Sequence, residues 1–222
     1  VAAGTSGNDG VIADYEFNAP ATLGTTSWSQ FRGDPRLTGS KYYSTLSSDF
    51  CNGTPDGYYM AARDGGVFSY CNAPFFGSMG GQPIAAPVVG MSTTPSRNGY
   101  WEVGADGGTY AFGGAGFHGS ASAYHPASAI VAIASTPSGN GYWEVSAQGA
   151  VYSFGDAPFK GSVTGGLNSP IVGIAAAPDG NGYWLAAKDG GVFAFGSAGF
   201  KGSMGGQHLN QPIVGIESTG DG

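Results

Sequence analysis

The sequence predicts an all-β chain, a five-bladed β-propeller with about 42 residues and four antiparallel strands per blade, and three observations carry that expectation. One stretch is written four times: GYYMAARDGGVFSY from Gly57, GYWEVGADGGTYAF from Gly99, GYWEVSAQGAVYSF from Gly141 and GYWLAAKDGGVFAF from Gly182. These copies start 42, 42 and 41 residues apart. Each copy divides into short apolar runs separated by D-G or N-G turn signals, which is the pattern of antiparallel hairpins. Of 222 residues, 42 are Gly and only 10% are charged; this suits many short strands joined by tight turns and excludes a charged, disordered chain.

Read in order as a single domain over 1–222, the chain opens with a head, 1–40, whose segments 1–3 and 11–17 align with the second and third strands of the repeat. The tail, 209–222, aligns with the first strand. Head and tail together are expected to complete a split fifth blade, which would leave no free sheet edge. Between them lie four units, 41–83, 84–125, 126–166 and 167–208. In the last of these, PIVGIAA is a first strand (A) and PDGNG its turn. GYWLAA is strand B, KDGG a second turn, VFAFG strand C, and FKGSMGG a shorter strand D with a glycine-rich exit. In GYW the Tyr and Trp are consecutive, so a strand points them to opposite faces. Both faces are therefore expected to be buried, as in a sheet packed between two neighbours. Strand A is built from small residues, as crowding around a narrow axis requires. The segment 21–56 fits the repeat least well; it contains Trp28, the triplet Arg32-Gly33-Asp34 and the sequon Asn52-Gly53-Thr54, and reads as a long loop followed by strand A of the first unit over 42–48.

Net charge is −7, and no Lys/Arg cluster occurs, so nucleic acid and anionic membrane surfaces are not expected partners. No apolar run is long enough to span a bilayer. Cys51, in the A–B turn of the first unit, and Cys71, after its strand C, fall at the same end of parallel-running strands. A Cys51–Cys71 disulfide is expected, in keeping with export.

The chemistry of the side chains points away from catalysis. A glycosidase needs two or three carboxylates converging from different units. The internal strands A hold none, and Glu102 and Glu144 follow Trp on strand B, where Met60 and Leu185 stand in the other units. His118, His125 and His208 have no ligand spacing, and no zinc, nucleophile-elbow or phosphate-loop pattern is present. The Asp of the B–C turn (Asp64, Asp106, Asp189) is first a turn former, with a repeated ligand or calcium contact as its second reading. Trp101, Trp143 and Trp184 read as core residues that would stack on sugars wherever a face is exposed.

The string G-Y-W-x-V-x-x-D-G-G-V-F-x-F-G-x-A-x-F-x-G-S, over about 41–222, resembles the tandem repeat of many secreted or surface proteins of actinobacteria. That resemblance implies a β-propeller module in an extracytoplasmic protein and no catalytic mechanism. In blade number and repeat length the chain is similar to the tachylectin-like propeller lectins, which bind amino sugars between blades. The expected function is a non-catalytic, lectin-like module, needing no cofactor, that recognises glycans or cell-surface polysaccharide through Asp64, Asp106, Asp189, Trp101, Trp143 and Trp184. The alternative is a docking propeller that binds other subunits of an extracellular assembly; a glycoside hydrolase comes third.

Overall fold

The structure, a computed structural model, describes residues 57–219. The head 1–40, the 21–56 loop with Cys51, and the first unit's strand A lie outside the described residues. Eleven strands form within them. The first unit contributes β1 (Gly57–Ala61) and β2 (Val67–Cys71). The second contributes β3 (Val88–Thr93), β4 (Gly99–Gly104) and β5 (Thr109–Gly113). The third has β6 (Ile130–Ser135), β7 (Gly141–Ser146) and β8 (Val151–Gly155), and the fourth β9 (Ile171–Ala176), β10 (Gly182–Ala187) and β11 (Val192–Gly196).

The predicted strands A, B and C of the last three units thus form where the repeat places them. Each of these three units is an antiparallel sheet with the GYW strand in its centre, and the first unit shows the pair β1–β2. The register between strands B and C is the same in every unit, with Gly99 opposite Gly113, Gly141 opposite Gly155 and Gly182 opposite Gly196. The glycine that opens strand B cannot be replaced: a Cβ on Gly99 would lie 2.4 Å from the Phe112 carbonyl oxygen. Strand A carries a bulge near its start, where the register shifts between Val88 and Gly90 and between Ile130 and Ala132.

The closed five-bladed propeller with four strands per blade is overturned. The strands lie in four separate sheets of two or three strands, and among the described residues no closed sheet, barrel or propeller forms. No strand D forms in any unit; in the first three a tyrosine of the next unit takes up the backbone groups of segment D, and in the fourth segment D is equally irregular with no such tyrosine among the described residues. Tyr100 Oη accepts a hydrogen bond from the Phe76 backbone N–H (3.2 Å) and donates to the Gly77 carbonyl (2.5 Å). Tyr142 does the same with His118 and Gly119, and Tyr183 with Lys160 and Gly161. A phenol thereby takes one N–H and one C=O that a fourth-strand ladder would have used. The glycine beside it turns out of the extended region, with φ of +129° at Gly77, +134° at Gly119 and +132° at Gly161. Segment D is instead tied to the B–C turn, as where Met204 N–H donates to the Gly190 carbonyl (2.9 Å). The tail, expected to open the split blade, forms no strand up to Thr219; its Ile213 N–H donates to the Lys188 carbonyl (3.0 Å).

Successive units pack side by side, with β3 beside β6 and β6 beside β9. This close approach explains the small residues of strand A. A Cβ on Gly90 would meet Ile133 Cγ2 at 3.4 Å, and the Ser135 N–H donates to Ser92 Oγ across the junction. Every residue of β4 and β7 is buried, so Tyr and Trp are covered on both faces as their adjacency predicts. The core runs through the junctions: Trp143, Val145 and Val151 of the third unit pack with Tyr183 and Leu185 of the fourth.

Candidate ligand-binding surface

The three turn aspartates behave alike. Asp64, Asp106 and Asp189 each accept, through Oδ1, the backbone N–H of the glycine two residues on, at 3.0 Å. This Asx arrangement fixes the hairpin around a left-handed glycine, with φ of +79° at Gly65, +84° at Gly107 and +85° at Gly190. Their first role is therefore the turn. Among the described residues, no group of three or more His, Cys, Asp or Glu comes together that could hold a metal ion.

The tryptophans divide. Trp101 and Trp143 are 0% exposed, so neither has a face to offer a sugar. Each is pinned within its unit by an indole N–H donated to a carbonyl fifteen residues on, Gly116 for Trp101 and Pro158 for Trp143. Each is covered by the next unit's tyrosine, with Trp101 to Tyr142 ring centroids at 5.4 Å and Trp143 to Tyr183 at 5.5 Å. Trp184 makes the same indole bond, to Gly199, but is only half-buried. It lines an open cleft of about 240 Å³ with Asp179, Ser197 and Lys201. Asp179 accepts from Ser197 Oγ (2.7 Å) and from the Asn181 N–H (2.9 Å), and these two bonds hold its carboxyl below the ordinary aspartate value.

One unit earlier, the serine and the aspartate have changed places. There Ser138 Oγ donates to Asp156 (2.5 Å), across the same eighteen-residue separation as Asp179 and Ser197. A pair that survives exchange is a clasp between the A–B turn and the end of strand C.

Glu102 and Glu144 are buried completely. Glu144 accepts from Thr109 Oγ1 of the preceding unit (2.5 Å), while neither oxygen of Glu102 has a hydrogen-bond partner. Burial pushes both carboxyls up to about 7, opposed at Glu144 by the Thr109 hydroxyl. Such values suit general acids, but no substrate reaches an atom sealed between two sheets. Cys71 is disulfide-bonded, and Cys51, the only other cysteine in the chain, lies outside the described residues.

In three of its four units the repeat exposes an aromatic side chain at one position, which the sequence reading did not single out. Phe117, Phe159 and Phe200 occupy the same place in segment D, and they are 63%, 60% and 63% exposed. The fourth equivalent, Phe75, is half-buried. Next to each exposed ring stands an exposed polar residue, His118, Lys160 or Lys201. The signal was available: a phenylalanine is kept in all four copies of x-F-x-G-S, on a segment with no alternation to bury it. No protein-family model and no curated protein matches this chain.

Proposed function

We propose that this chain is a non-catalytic carbohydrate-binding module of a secreted or cell-surface protein, and that it engages glycans through the repeated phenylalanines of segment D. The observation that carries the reading is the recurrence of Phe117, Phe159 and Phe200 as exposed rings at one structural position. Apolar side chains scattered singly on a surface are ordinary, but one ring recurring at the same position in three successive units makes a regular row, which is the arrangement a repeated ligand contact needs. A phenyl face suits the C–H face of a pyranose ring, and the adjacent His118, Lys160 and Lys201 supply donors for its hydroxyls. One ring in each of three units gives shallow sites of low individual affinity, and a polymeric glycan that reaches several of them binds by avidity. The likeness of the repeat to those of secreted actinobacterial proteins supports the extracellular setting. Glu102 and Glu144 are sealed between units and are not offered to a ligand.

The test is a glycan array probed with the purified chain, bacterial cell-wall polysaccharides included, followed by Phe117→Ala, Phe159→Ala, Phe200→Ala and the triple variant. Each single change is expected to weaken binding to the polymer several-fold and the triple change to abolish it, with circular dichroism unchanged. Binding that survives in the triple variant sinks the reading, and so does a blank array with folded protein.

A further inference from the structure

The three internal junctions are built alike. A tyrosine from the later unit lays its ring against the aromatic of the earlier strand B: Tyr100 on Tyr59 at 5.0 Å, Tyr142 on Trp101 and Tyr183 on Trp143. Its hydroxyl enters segment D, and an aromatic from the later strand C covers the segment D glycine. A Cβ on Gly77, Gly119 or Gly161 would lie 2.8, 2.6 or 2.8 Å from Phe112, Phe154 or Phe195.

At the end of the fourth unit the corresponding acceptor groups are present, and among the described residues no tyrosine occupies them. Trp184 is only partly buried, whereas the equivalent Trp101 and Trp143 are sealed. The Lys201 N–H and Gly202 carbonyl, which correspond to the groups that hold Tyr142 and Tyr183, have no protein partner among the described residues. A Cβ on Gly202, at φ +128°, would meet nothing within 4 Å.

The first unit presents the complementary part. Tyr58 stands at the position of Tyr100, Tyr142 and Tyr183, but it is 56% exposed where they are 0%. Its ring stacks on Tyr70 with centroids 4.7 Å apart, so the side chain is already ordered for docking.

We propose that the free end of the fourth unit receives the GYY strand of a second copy of this chain, head to tail. Tyr58 then lies on Trp184, its hydroxyl bridges the Lys201 N–H and the Gly202 carbonyl, and Tyr70 covers Gly202 as Phe112 covers Gly77. The occupant follows from continuity with an interface the chain already makes three times, and each copy carries one donor and one acceptor. Such a contact is heterologous, so association proceeds to a ring or an open filament and not to a two-fold dimer.

Sedimentation velocity on the full chain over the micromolar to millimolar range tests this, with Tyr58→Ala, Trp184→Ala and their mixture. The expected result is concentration-dependent association by the native chain, loss of it in either variant alone, and a species of two chains and no larger when the variants are mixed. Both substitutions lie on exposed or half-exposed side chains, and circular dichroism checks that the fold is kept. A native chain that stays monomeric throughout overturns the proposal, as would occur if its own 1–56 segment covered Trp184. Association that survives Tyr58→Ala overturns it equally. Neither outcome bears on the phenylalanine row, so failure here is distinct from failure of the glycan reading.

Discussion

At the scale of single residues, the sharpest contrast lies between Glu102 and Glu144. Thr109, which holds Glu144, is replaced one unit earlier by Val67, so Glu102 is buried with no hydroxyl to meet it. In the fourth unit the same position is Leu185, packed in the core with Val151. Junctions thus come as Glu with Thr, as Leu with Val, and in one case as Glu with Val. A buried carboxyl without a partner is destabilising, and more so when ionised. Its folded value, about 7, lies above the ordinary 4.5, so the folded state holds a proton that the unfolded state has lost in between. Stability associated with this group is complete below about 4.5 and falls as pH rises through about 7, by on the order of 3 kcal/mol for a shift of this size. Glu102→Leu is therefore expected to raise the melting temperature, with the gain larger at pH 8 than at pH 5. Glu144→Leu should gain less, because it strands the Thr109 hydroxyl. Thermal unfolding of both variants across pH 4 to 8 decides it: an equal gain for Glu102→Leu at both ends removes the ionisation argument.

At the scale of elements, strand boundaries were legible because they are written in turn chemistry and alternation: D-G-G sets the B–C hairpin, and Tyr-Trp adjacency sets a strand buried on both faces. Segment D was not legible as a non-strand. FKGS carries ordinary strand residues; in the third unit a phenol from twenty-three residues later takes up its backbone, but the fourth copy forms no strand without one, and what all four copies share is a glycine at positive φ (Gly77, Gly119, Gly161, Gly202). The exposure of Phe117, Phe159 and Phe200 follows from the place of segment D outside the ladder, where no sheet face turns them inward. The closed ring was inferred from a head outside the described residues and a tail that forms no strand, so neither end supports it. The segment D glycines allow the junction to be tested as an element. Gly119 and Gly202 have nearly the same backbone, at φ +134° and +128°, but a Cβ meets Phe154 at 2.6 Å in the first and open space in the second. Alanine at either position carries the same backbone strain, and only at Gly119 does it also displace a buried ring. Gly119→Ala is expected to cost about 1–3 kcal/mol more than Gly202→Ala. Urea unfolding of the two variants reads the difference directly, and equal losses would mean that the junction yields without cost.

At the scale of the described array, the main contacts between strands of different units join sequence neighbours, so stability accumulates junction by junction. The middle units have a junction on each side, and their strands β4 and β7 are buried at every residue. The fourth unit shows an opening at one place, Trp184 in β10, while β1 in the first is exposed at four of five residues. Local opening needs least free energy where the fewest buried contacts must be broken. Amide hydrogen exchange should therefore be slowest in β4 and β7, faster in β10 and fastest in β1, a gradient set by the number of covered faces and not by sequence, since the four copies of strand B are nearly the same. Docking of a second copy through Tyr58 and Trp184 predicts how that gradient moves. Raising the protein concentration should slow exchange in β1 and β10 together and leave β4 and β7 unchanged, because the new junction covers only the two ends. Uniform exchange across the four strands at low concentration would falsify the nearest-neighbour account. Slowing confined to one of the two ends would mean that the partner on that face is something other than a second copy of the chain.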